Sequence, residues 1–183
     1  MDQRALVEQA QHGDRDAFAA LASVGADRLY AIAWRILRDV ELARDAVQSA
    51  QLAAWRDLRT LRDPARFDAW QYRLLVRACY VEARHRRRRA DVRPLATIGS
   101  PRDDPGTWIA DHDALERAFR RLSPEQRAIV VLHFYLDMPL TEIAAALGIP
   151  AGTARSRLHY ALAGLRAALD AVGPQDRVME QRA

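Results

Sequence analysis

At 183 residues, half of them hydrophobic, the chain is long enough to bury one mid-sized core or two small ones. Its formal charge is +4, and all 28 basic residues are arginine, since lysine does not occur. A lone Cys79 excludes an intrachain disulfide or a thiolate metal cluster, and the sequence has neither a secretory leader pattern nor a run near about eighteen apolar residues, so a cytoplasmic location without membrane insertion is expected.

Apolar residues recur at helical spacing and no bounded alternating stretch reads as a strand, so the expected fold class is all-α. Leu29, Ile32, Ala33, Ile36 and Leu37 mark one helix. Asp39 is the N-cap of a second that runs to about Leu58. A third starts at Asp63-Pro64, where Asp caps and Pro takes the first helical position, and continues to the arginine run near Arg88. Residues 91–111 then collect Pro94, Gly99, Pro101, Pro105 and Gly106 with little periodicity, which predicts a flexible linker, with Trp108 in it as a possible anchor. The expected organisation is two small helical domains, 1–90 and 112–173, joined only by that tether, with a tail at 174–183.

The second half opens on a stripe of Leu115, Ala118, Phe119 and Leu122. Ser123-Pro124-Glu125-Gln126 is a capping box with Pro at the first helical position. A short helix from Thr141 to Leu147 is then stopped by Gly148 and Pro150 before a longer one begins, which is the grammar of a helix-turn-helix. On the longer helix Ala154, Leu158, Ala161, Leu162 and Leu165 share the inward face. The opposite face presents Ser156 and His159, flanked by Arg155 and Tyr160, with Thr153 near the start, a set able to reach base edges and phosphates in a major groove. Arg157 lies nearer the core and is assigned to a phosphate or an intramolecular carboxylate.

These residues carry a family likeness. RLSPEQRAIVVLHFYLDMPLTEIAAALGIPAGTARSRLHYAL resembles region 4 of extracytoplasmic-function (ECF) sigma factors, and GDRDAFAAL, ARDAVQSA, AWRDL and FDAWQYRL resemble their region 2. The resemblance implies an alternative sigma factor that binds the clamp and flap of core RNA polymerase and directs initiation at promoter DNA. Region 2 would read and melt the minus-10 element and region 4 would read the minus-35 element. It also allows for an anti-sigma factor as a partner.

Helix geometry supports a clamp-binding face, since Ala43, Ala46, Val47, Ala50 and Ala54 form an inward stripe that leaves Asp45, Gln48, Ser49 and Leu52 outside. On the next helix, with Phe67, Trp70, Leu74, Ala78 and Val81 inward, Tyr72, Arg73, Val76, Arg77, Tyr80 and Arg84 fall outward. Interleaved aromatics and guanidiniums suit a melted strand. The likeness adds Arg59 and Arg62 to this minus-10 set. Gln51, Gln71, Arg77, Val81 and Tyr160 depart from the usual family residues, which bears on minus-10 specificity more than on the fold. The all-arginine composition suits phosphate and base contacts, although a GC-rich coding sequence yields the same bias. Trp34, Trp55 and Trp70 are expected in the core. His12, His85, His112, His133 and His159 lack zinc spacing, and no catalytic constellation, metal site or cofactor motif is present. The competing reading is a stand-alone helix-turn-helix regulator whose first half dimerises or senses.

Overall fold

The computed structural model describes the backbone of residues 2–92 and 109–171, and within it the side chains of residues 2–89 and 114–171. The described residues form helices and no strand: α1 (Gln3–Gln11), α2 (Arg15–Leu37), α3 (Val40–Asp57), α4 (Phe67–Val92), α5 (Ile109–Arg121), α6 (Pro124–Phe134), α7 (Leu140–Leu147) and α8 (Ala151–Asp170). Short 3₁₀ turns at Leu58–Thr60 and Pro64–Arg66 lead into α4. The linker expected at 91–111, with Trp108, and the tail at 174–183 lie largely or wholly outside the described residues.

Local chemistry sets the boundaries. Asp14 caps α2 by accepting from the Asp16 and Ala17 amides, and Asp39 caps α3 through Leu42 N–H at 3.1 Å. Between α2 and α3 the chain turns on Arg38, at φ 56. Asp63 caps as expected, but its bond to Ala65 N–H closes the 3₁₀ turn and not α4 itself. The capping box of α6 is complete, with Gln126 N–H on the Ser123 hydroxyl at 3.2 Å and the Ser123 N–H on Gln126 Oε1 at 2.9 Å.

The helices pack as α1 to α4 and as α5 to α8, and these two groups also pack on each other: α6 lies against α2 and α4, and α7 against α4. A single apolar core runs through both, from Leu29, Ile32 and Ile36 to Ile129, Leu132 and Ile143, while Val7, Leu21, Leu58 and Phe67 form a smaller one under α1. The expectation that the halves touch only through a tether is therefore corrected. The physical reason lies in α6, where Ala128 to Leu132 are buried without a break; a helix that is apolar all round needs cover on every side.

Two expectations about inward faces also change. On α4 the buried residues are Phe67, Gln71, Tyr72, Leu75, Val76 and Cys79, whereas Val81 is 41% exposed. Tyr72 and Val76 therefore face inward and Val81 outward, because α4 is covered by α2 and α3 on one side and by α6 and α7 on another. Leu115, assigned to the inward stripe of α5, is exposed, whereas Ala118 and Leu122 are buried as expected.

Candidate nucleic-acid and polymerase interfaces

The helix-turn-helix is built by α7 and α8. Its turn depends on Gly148, which ends α7 at φ 65 and returns its N–H to the Ala144 and Ala145 carbonyls. Pro150 then precedes α8 with an extended ψ of 145. α8 lies against α5, α6 and α7, burying Ala154, Leu158, Ala161, Leu165 and Ala168, with Leu162 partly buried. Arg155, Ser156, His159 and Tyr160 are exposed on the far side, and Thr153 and Arg157 are half-buried. The Ser156 hydroxyl donates to the Thr153 carbonyl at 3.1 Å, and the His159 and Tyr160 rings meet edge to face at 5.6 Å.

Arg157 points back into the protein, close enough to Glu125 and Tyr80 for its charge to act on both. Burial would raise the Glu125 carboxyl, but the Glu125 backbone N–H, the Ser123 hydroxyl, Arg87 and Arg157 together hold it below the ordinary value.

α3 displays Asp45, Gln48, Ser49 and Leu52 over the buried stripe Ala43, Ala46, Ala50 and Ala54. Leu52 is 63% exposed. Beside it lies a groove of about 450 Å³ lined by Phe18, Ala22, Gln48, Gln51, Leu52 and Trp55, among others. Trp55, expected in the core, is 41% exposed and meets Phe18 edge to face at 4.9 Å. The sequence does not reveal this groove because Phe18 comes from α2, and Trp55 is expected in the core only because it sits in an apolar helical stretch, although it lies off the α3 stripe of Ala43, Ala46, Val47, Ala50 and Ala54.

The minus-10 candidates do not share one exposure. Arg59, Arg62, Arg77 and Arg84 are exposed. Arg59 donates to the Gln11 carbonyl at 3.2 Å and Arg84 to the Tyr80 carbonyl at 3.2 Å. Arg73 is half-buried, with an Nε that finds no hydrogen-bond partner. Tyr72 is buried, with the Arg28 guanidinium 5.6 Å from its ring centre, and Tyr80 is half-buried with a hydroxyl that has no partner. Burial pushes both phenols up, and Tyr135, just past the end of α6, acts on Tyr72 while Arg157 and Glu125 act on Tyr80. With the halves packed, the buried Tyr72 ring offers no face for stacking, and the Tyr80 ring is half covered. Gln71 is buried against α2, its Oε1 3.6 Å from where a Cβ on Gly25 would stand. No group of three or more His, Cys, Asp or Glu is placed to hold a metal among the described residues, and none of their helices is long and apolar enough to cross a membrane.

Both halves match known families. Residues 25–89 match Sigma-70 region 2 and residues 112–165 match Sigma-70, region 4. The chain is 34% identical over 155 residues to the RNA polymerase sigma-E factor of Streptomyces coelicolor, covering 85% of this chain and 87% of that one. It belongs to the ECF group of the sigma-70 family. The ECF sigma factor SigL of Mycobacterium tuberculosis is similar at 32% identity over 169 residues, covering 88% of this sigma factor and 96% of SigL. Among solved structures, CnrH in complex with the cytosolic domain of CnrY has a TM-score of 0.63 at 26% identity, covering 92% and 97% of the two chains. The sigma factor RpoE in complex with the anti-sigma factor NepR from Bartonella quintana has a TM-score of 0.65 at 23% identity, covering 84% and 96%, and shows the shared fold. As an alternative sigma factor, the chain directs RNA polymerase in transcription initiation. The match of the first half to region 2 leaves the stand-alone regulator the less supported reading.

Proposed function

We propose that this sigma factor reads the minus-35 element with the outward face of α8, through Thr153, Arg155, Ser156 and His159, with Tyr160 at the edge. The observation that carries the reading is the two-sidedness of α8: Ala154, Leu158 and Ala161 are buried, and Arg155, Ser156, His159 and Tyr160 between them are polar and exposed. Side chains on such a face can enter a major groove without disturbing the core. Arg155 is the best placed to make forked contacts to a guanine edge.

Polymerase docks on α3 through Asp45, Gln48, Ser49 and Leu52, with the Phe18–Trp55 groove extending the apolar part of that surface. The minus-10 strand is held by Arg59, Arg62, Arg73, Arg77 and Arg84, with Tyr72 and Tyr80 joining once the C-terminal half moves away. All bond-making chemistry belongs to the polymerase, and the sigma factor contributes position and sequence choice. It works in the cytoplasm, where polymerase and promoters are. The complex of the structural relative RpoE with the anti-sigma factor NepR favours an anti-sigma factor as a regulatory partner.

Transcription in vitro with core polymerase and a promoter library tests the proposal. Initiation that depends on the chain and selects for two spaced elements is the expected result. Tight sequence-specific binding of duplex by the chain alone, without stimulation of transcription, contradicts it.

A further inference from the structure

Two guanidiniums at the end of α2 engage the C-terminal half. Arg38, just past the helix, has a side chain only 8% exposed; it is ion-paired with Glu116 of α5, itself 24% exposed, and its guanidinium stacks on Trp34 at 4.0 Å. Arg35, in the last turn, donates to the Ala31 carbonyl at 3.0 Å and lays its guanidinium 4.1 Å from the ring centre of Tyr135, just past the end of α6. The same Tyr135 acts on Tyr72, which is buried on α4. One ion pair and one cation–π contact thus cross the seam beside a residue of the minus-10 set.

Arg38 also sits in a costly backbone conformation. It ends α2 at φ 56, where its N–H returns to the Trp34 carbonyl at 2.7 Å. Glycine takes this left-handed position without strain, whereas a larger side chain pays for it. A strained residue of this kind points to a role for its side chain beyond the turn, and here the side chain spans the two halves. The apolar core that runs through both halves supplies the attraction between them. The buried pair adds a condition to it, because losing either partner strands the other charge out of water and so favours opening.

We propose that Arg38 with Glu116, supported by Arg35 with Tyr135, is a latch that holds the C-terminal half over the minus-10 surface, so that the free chain is self-inhibited for binding a single strand. The latch rests only on the contacts across the seam; the self-inhibition rests in addition on the minus-10 reading of Tyr72 and Tyr80. Polymerase and promoter would then engage a chain whose latch has opened, which keeps the unattached sigma factor from holding single strands elsewhere.

The test uses full-length Glu116→Gln and Arg38→Gly, with helix content checked by circular dichroism. Small-angle X-ray scattering reads the radius of gyration, and the anisotropy of a labelled single-stranded oligothymidine reads strand binding, which aromatic and arginine surfaces support without sequence preference. The expected result is unchanged helix content, a larger radius in both variants and strand affinity raised about tenfold, the scale of an equilibrium released by loss of one partner of a buried pair. Arg38→Gly relieves the strained helix end, so expansion in that variant cannot come from a damaged cap. The double variant is expected to be no more open than either single one, since both remove the same interaction. A radius unchanged in both single variants overturns the latch and leaves the minus-10 reading standing. Expansion with unchanged strand affinity overturns the self-inhibition by removing the minus-10 reading instead, and a double variant whose opening is the sum of the two contradicts the pairing.

Discussion

Asp45 and Gln48 stand on α3 one turn apart and clear of the Ala43, Ala46 and Ala50 stripe, so trimming both to alanine removes contacts without opening a cavity. The double variant is expected to keep its circular dichroism and thermal midpoint and to bind core polymerase several-fold more weakly, since contacts at a partly exposed rim contribute modestly to affinity. Unchanged affinity in a pull-down or anisotropy titration removes α3 as the docking face. Cys79 is the opposite kind of residue. It is fully buried in the core under α4, and burial raises its thiol to about 12, so it stays neutral and inaccessible. At pH 8 it should react with a disulfide reagent only at the rate of unfolding, which stopped-assay thiol counting checks; prompt reaction in the native chain contradicts the core placement.

At the scale of elements, the helix-turn-helix was legible because its signals are local. Gly148 must take a positive φ, Pro150 cannot continue a helix, and the small and apolar positions of α8 recur at one period. A Cβ on Gly148 would meet nothing within 4 Å, so Gly148→Ala is expected to cost only the backbone strain, about 1 kcal/mol. Denaturant unfolding reads it, and Gly148→Asn should recover part of the loss; equal stability for Gly148→Ala contradicts the left-handed turn. α4 was legible as a helix but not in its facing. Its strongest single stripe put Tyr72 and Val76 outside, yet the helix is covered on two sides, and nothing in its own sequence says that α6 and α7 supply the second cover. α1 and the first half of α2 gave no helix expectation; in the latter, residues 17–22 are apolar without a break, so no single stripe marks a face. The Phe18–Trp55 groove has the same cause as the α4 error, since it is made by two helices and periodicity describes one.

For the whole molecule, the consequence of the packed halves is that Tyr72 and Tyr80 lie under the neighbourhood of Tyr135, Arg157 and Glu125. If these rings are to stack on a melted strand, the halves must part. Fluorophores on Asp16→Cys of α2 and Ala167→Cys of α8, both exposed positions, should show high transfer in the free chain and a fall when core polymerase and promoter are added; constant transfer contradicts the need for opening. Such a separation would also fit the proposed division of reading, with α8 on the upstream element and the arginines of the first half on the downstream one. The most direct test of that division is transcription by core polymerase with Arg155→Ala on promoters randomised upstream and downstream in turn. Loss of one forked base contact costs on the order of 1–3 kcal/mol, so initiation should drop several-fold or more at matched promoters and upstream preference should flatten, while downstream preference and polymerase affinity stay as they are. Upstream preference that survives in Arg155→Ala, or a change confined to the downstream element, contradicts the assignment of α8 as the reading helix.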